Sequence, residues 1–217
     1  MIEKLIKEYG DPNDVFAMVG RGKYNKKVAR SYLEKYFLPE KDYLKKWKPI
    51  ENTIFQNQDK SLPEMVFQDH FDLLGFLGGC LFQQKYFETL QACMQALGDQ
   101  HLVIIHKPIL HEDIPPLRMI YPSSITWSEM MSGNYISYII CESSLDDYFV
   151  FSESGLWGKY ACTDYYDPND NNMTELNVIG FQPAYNAIFK KHFKPLQEEE
   201  MKKRLPPLYK NRCKWYI

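Results

Sequence analysis

Near residue 100 the apolar residues of this chain change their period, and the change limits the folds open to it. In KYNKKVARSYLEKYF, residues 23–37, Val28, Ala29, Tyr32, Leu33, Tyr36 and Phe37 recur at three- and four-residue steps, with Lys26, Lys27, Arg30 and Glu34 opposite them. That is the spacing of an amphipathic helix. CLFQQKYFETLQACMQALGD, residues 80–99, repeats it: Phe82, Tyr86, Leu90, Cys93 and Leu97 form a stripe, and Gly98 stops the helix. Between them LPEKDYLKKWKPI and SLPEMVFQDHFDLLGFL each set a proline near a helix start, where its missing N–H costs nothing. Four or five helices are predicted before residue 100.

Beyond that point the runs shorten and turn β-branched and aromatic: HLVIIHK (101–107), LRMIYP (117–122), YISYIICE (135–142), DYFVFS (147–152), LWGKYACT (156–163) and LNVIGF (176–181), each bounded by Pro, Gly, Asn, Asp or Ser. They predict five or six strands, interrupted by one helix in TWSEMMSG, where Thr126 and Glu129 fit a capping box. The links between the third, fourth and fifth runs have about four residues, too few for a parallel crossover, so these three are expected to form an antiparallel meander. QPAYNAIFKKHFKP then places Pro183 in a first turn and Ala184, Ile188, Phe189 and Phe193 on one face, a helix expected to close over the sheet. EEEMKKR follows as a solvated turn with favourable i to i+4 pairs, and CKWYI is apolar enough to dock. The expectation is one α+β domain over 1–217: a helical N-terminal half, about 1–99, then a mostly antiparallel five- to six-stranded sheet and a closing C-terminal helix, about 100–217.

Compartment and chemistry are bounded by what the chain carries. Glu3, Lys4, Lys7 and Glu8 stand where a signal peptide needs an apolar run, and the longest apolar run, LLGFLGGCLF, is about half a membrane span. A cytoplasmic location and no membrane helix are expected. Cys80, Cys93, Cys141, Cys162 and Cys213 are odd in number and form no CxxC pair, which predicts reduced thiols rather than a disulfide frame or a zinc knuckle. A net charge of −2 gives no global field toward nucleic acid. The charge is nevertheless uneven: residues 142–175 hold one basic and eight acidic groups, and residues 176–217 hold nine and three. An acidic end of the sheet follows, or simply acidic turns.

No group reaches the pattern of a catalytic or metal motif. VGRGKYNKK lacks the phosphate-loop spacing. His106, His111, Glu112 and Asp113 in HKPILHED lack a second cluster to complete a metal shell, and Asp69, His70 and Asp72 in QDHFD are adjacent on a predicted helix and so point apart. No cofactor and no metal are expected, and the chain is read as non-catalytic. The enzyme alternative is a small hydrolase or ligand-binding enzyme with a pocket between helical layer and sheet, using His70, Asp72 or His106.

DYFVFSESGLWGKY reads as a β-hairpin in which Gly155 supplies the positive φ of the turn. Alternation puts Leu156, Gly158, Tyr160 and Cys162 on one face, taken as the core side, and Trp157, Lys159, Ala161 and Thr163 on the other. The helices either cover that second face or leave Trp157 displayed beside Gly158, a residue that marks a bulge or a close approach. Displayed, Trp157 joins Tyr165 and Tyr166 among Asp164 and Asp167, with Glu153 and Asp170 as rim charges, a set suited to a basic protein partner.

The succession MIYPSSITWSEMMSGNYIS, DYFVFSESGLWGKYACTDY and NVIGFQPAYNAIFKKHF, about residues 118–193, resembles the sheet half of small bacterial immunity and immunity-like proteins, the SUKH-like group among them. The helix in CLFQQKYFETLQACMQAL departs from that pattern. Gly155, Trp157 and Gly158 match the G.W hairpin. The resemblance implies a protein that binds and neutralises a toxin domain, with structural and interface roles for those three residues. A structural homo-oligomer, such as a homodimer, is the remaining reading, drawn from the many aromatics.

Overall fold

The computed structural model describes residues 26–56, 66–77, 83–107, 116–132, 147–167 and 172–201. Six strands pair into one sheet: β1 Asp72–Leu77, β2 His101–Lys107, β3 Leu117–Pro122, β4 Asp147–Ser152, β5 Trp157–Asp167 and β6 Asn172–Phe181. Their order is β1-β6-β5-β4-β2-β3, and every neighbouring pair is antiparallel. With helices before, within and after the strands, the fold is α+β.

Helices cover both faces of the sheet. On one face lie α1 Lys26–Tyr36, α4 Gln84–Leu97, α5 Trp127–Ser132 and α6 Asn186–Met201, which bury Tyr32, Leu90, Cys93, Met130, Phe189 and Phe193 against Leu102, Ile104, Met119, Val150 and Ile179. On the other lies a helical segment made of α2 Glu40–Asp42, a π turn Tyr43–Trp47 and α3 Lys48–Ile54, which packs Tyr43, Trp47, Ile54 and Phe55 with Val103, Ile105, Phe149, Phe151 and Tyr160. Central strands buried on two sides explain why HLVII and YFVF are unbroken apolar runs rather than alternations. The helices thus divide between the two faces of the sheet.

Sequence accounts for the helix ends. Gly98, in the left-handed conformation at φ 78, caps α4 by taking its N–H back to Gln95 and Met94 carbonyls. Thr126 Oγ1 accepts the Glu129 N–H at 3.1 Å, the capping contact its spacing predicts. The π turn follows from Tyr43, Trp47 and Glu51, buried at four-residue steps. An α-helix would carry such positions around by about 40° per step, and the wider turn takes that drift back. It also ends where Pro49, with no N–H to give and a ring aimed at the carbonyl four residues back, would strain a regular helix.

One element departs from expectation. Residues 72–77 form the edge strand β1 rather than a helix, paired with β6 from Asp72↔Phe181 to Leu77↔Leu176. An apolar run of this length reads equally as buried strand or buried helix; its β partner lies more than a hundred residues away and no local signal announces it. At the opposite edge, Phe37 bridges Met119 and the Leu38 N–H donates to the Arg118 carbonyl at 2.9 Å, which closes the free side of β3. The run expected at 135–142, and with it the first arm of the meander, lies outside the described residues, as do 19–25, His111, Glu112, Asp113, Asp170 and 202–217.

Candidate functional site

The hairpin at 147–160 forms with β4 and β5 paired and Gly155 at φ 66 in its turn. Its alternation is as expected, but neither face is open. Gly158 stands opposite Gly180 on β6, and together they make a notch for Phe55 and Phe67: a Cβ on Gly158 would come within 2.6 Å of Ile54 and 2.7 Å of Phe55, and one on Gly180 within 2.4 Å of Phe67. Gly158 therefore marks a close approach, not a binding surface.

Trp157 faces the other way and is 0% exposed, under the layer that includes α4 and α6. Its indole Nε1 donates to Asp99 Oδ2 at 2.8 Å, which satisfies a buried ring N–H and a buried carboxylate together. Of the two readings of this face the covered one holds and the displayed tryptophan is corrected to a core residue, because α4 and α6, distant in the chain, pack over it. Glu153 is corrected from a rim charge to a cap. Its two carboxylate oxygens accept the Gln100 N–H at 2.6 Å and the His101 N–H at 2.9 Å, and its Oε1 lies 3.4 Å from the His101 ring. Burial alone would raise its pKa; the backbone N–H donors and the His101 ring outweigh that and hold the carboxyl below the usual carboxylate range. The α4 cap, the start of β2 and the β4–β5 turn are tied together here.

Farther along the same face lies a buried polar group. His106 on β2, Tyr148 on β4 and Asn177 on β6 share one cross-strand row, and Lys159 sits in the next. Lys159, only 1% exposed, donates from Nζ to Tyr148 Oη at 3.0 Å and to Asn177 Oδ1, and its ammonium stands 4.5 Å from the Tyr148 ring centroid. A buried ammonium requires such partners, and these come from the two strands flanking its own. Sequence reading missed this cluster; its one signal was a lysine alternating in phase with Trp157.

The remaining predicted residues, Asp164, Tyr165, Tyr166 and Asp167, lie at the far end of β5. With about 3.3 Å per residue, the eight-residue step from Trp157 to Tyr165 is about 26 Å, and Trp157 itself is buried. β4 pairs with β5 only from Phe151↔Gly158 to Tyr148↔Ala161, and β1 reaches β6 only to Leu176. Past those limits β5 and β6 continue with each other alone among the described residues, through Tyr165↔Thr174, Tyr166↔Met173 and Asp167↔Asn172. A register shift between Cys162 and Tyr165, three residues of β5 against two of β6, places a bulge at the root of this ribbon. Bulges raise twist and re-aim side chains. Residues 162–176 contain four acidic groups and no basic one.

The residues of the enzyme alternative are not brought together. His70 is exposed in a turn against Phe71, at 4.7 Å between rings. Asp72 opens β1, where Asn186 Nδ2 donates to it at 3.3 Å. His106 is four strand positions away from β1 across the sheet, about 19 Å by strand spacing. The recess lined by Phe87, Leu90, Met94, Leu102 and Ile125 leaves no room for a ligand. Among the described residues no three His, Cys, Asp or Glu side chains are grouped to hold a metal ion, and no helix is long and apolar enough to cross a membrane. Burial pushes the Cys93 thiol up to about 12, away from nucleophilic use. Comparison with protein-family models, curated proteins and solved structures finds no match.

Proposed function

We propose that this chain is an intracellular protein-binding protein that docks a basic partner on the β5–β6 ribbon, and that the partner is a toxin domain which it neutralises as an immunity protein. The observation that supports this reading is the ribbon itself: among the described residues β5 and β6 continue as a pair beyond the registers they share with β4 and β1, with a bulge at the root and Asp164, Tyr165, Tyr166 and Asp167 along β5. Carboxylates steer a cationic partner, and phenols provide contact area at low entropy cost. Trp157 and Glu153 belong to the scaffold, and Asp170 extends the acidic run.

The test is binding of the product of the neighbouring reading frame to wild type, to Asp164→Asn/Asp167→Asn and to Tyr165→Ala/Tyr166→Ala. The acidic pair variant is expected to lose at least ten-fold in affinity, with the salt dependence reduced. The tyrosine pair variant is expected to dissociate faster. Unchanged affinity in both, with folded protein by circular dichroism, refutes the ribbon as the docking surface.

A further inference from the structure

Residues 177–181 of β6 are all buried, and the apolar ones divide between both faces of the sheet. An apolar-in, polar-out alternation therefore cannot choose the register in which β6 lies on β5. The pair in fact holds two registers. From Trp157↔Phe181 to Cys162↔Leu176 it keeps one, and from Tyr165↔Thr174 to Asp167↔Asn172 it keeps another, one residue out of step. Continued into the core, the second would set Lys159 opposite Gly180 rather than Ile179 and would turn every side chain of β6 to the other face. The core half must carry something that refuses it.

Two features do so, one on each face. Lys159 Nζ donates to Asn177, which stands opposite Ala161, and to Tyr148 on the other flank of β5. Moving β6 by one residue either way, or by two so that Phe181 faces Lys159, would put Leu176, Val178 or Ile179 opposite Ala161. None of these side chains accepts a hydrogen bond, so the buried ammonium would lose its acceptor on β6, which buried charges tolerate badly. On the opposite face Gly180 stands against Gly158, where a Cβ would come within 2.4 Å of Phe67. Each of those moves, and the move of two that brings Asn177 to face Lys159, would place Ile179, Phe181, Gln182 or Val178 there instead.

We propose that Lys159 is a register-determining residue: with the Gly158–Gly180 notch it holds β5 and β6 in step through the core, and so forces the bulge between Cys162 and Tyr165 from which the ribbon extends. The lysine supplies specificity, not stability. Replacing a buried charged group by an apolar one of similar volume is often neutral or stabilising, whereas removing only its partners leaves the charge uncompensated. Without the ammonium, Tyr148 Oη still reaches Asn177 Oδ1 at 3.4 Å. The role belongs to the fold and holds whether or not the ribbon binds a partner.

The first measurement is the urea midpoint of unfolding of the full chain. Lys159→Met is expected to unfold at or above the wild-type midpoint, Tyr148→Phe/Asn177→Leu below it, and the triple variant above that acceptor pair. A Lys159→Met midpoint as low as that of the acceptor pair overturns the inference, because the lysine would then be a stabilising tie. The second measurement reads the register from cross-strand amide contacts by NMR, in protein whose notch is relaxed by Phe67→Val. Phe67→Val alone is expected to keep one set of contacts, with Lys159 against Ile179. Phe67→Val/Lys159→Met is expected to add a second set, with position 159 against Gly180, in about 1–10% of the molecules. One set in both variants would show that the lysine is not needed, and two sets in both that it does not suffice; either overturns the inference. If the Phe67→Val variants do not fold, the midpoints decide alone.

Discussion

Trp157 and Asp99 form a pair in which each partner needs the other. An indole N–H and a carboxylate, both buried, would each cost free energy if left alone; joined at 2.8 Å, they allow a large ring to fill the core beneath the helices. Trp157→Phe keeps most of the packing but strands Asp99, and should cost about 1–3 kcal/mol of unfolding free energy, read from urea midpoints. A cost near zero would mean that Asp99 finds another donor. Glu153 gives a pH-dependent prediction. Its folded pKa is depressed, so its contribution is present at neutral pH and is lost as pH falls from the ordinary carboxylate range through the folded value. The stability gap between wild type and Glu153→Gln should accordingly be full at pH 7 and shrink on acidification; a gap independent of pH would contradict this. Cys93 should resist alkylation at pH 8 in the native protein and react once it is unfolded, as mapped at that residue by mass spectrometry.

At the scale of elements, the helical segment 40–54 and the β5–β6 pair are fitted to one another. Gly158 and Gly180 lie side by side on neighbouring strands and open a notch that the Phe55 and Phe67 rings occupy, 5.1 Å apart. Gly158→Ala and Gly180→Ala should each destabilise by about 1–3 kcal/mol through overpacking, and their combination should deviate from additivity because both intrude on the same rings. Strictly additive losses would show that the two sites relax independently. In sequence the notch is two isolated glycines, and the inference that Gly158 flags a close approach was available; what approaches it was not. β1 illustrates the same limit. FDLLGFL has no period that separates helix from strand, and only its partner β6 decides.

For the molecule as a whole, the sheet order places the first strand beside the last, so residue 72 meets residue 181 and the closing helix then seals the face behind them. Such pairings form late and slowly. A chain stopped after Gln182 should lose cooperative unfolding, since Phe181 and Ile179 would have no cover from α6, whereas a chain stopped after Met201 keeps every described element and should unfold cooperatively. Similar behaviour of the two truncations would refute the assigned role of α6. The α+β class, the places of β2 through β5, the core of β6, the glycine turn at 155, the caps at Gly98 and Thr126 and the amphipathic helices were legible in the sequence, because periodicity and turn chemistry act within a few residues. Whether a strand face meets water depends on which distant helix returns to cover it, a long-range packing outcome with no local signature. That outcome buried Trp157 on Asp99, tied Glu153 to the Gln100 and His101 amides and gathered Lys159 with Tyr148 and Asn177.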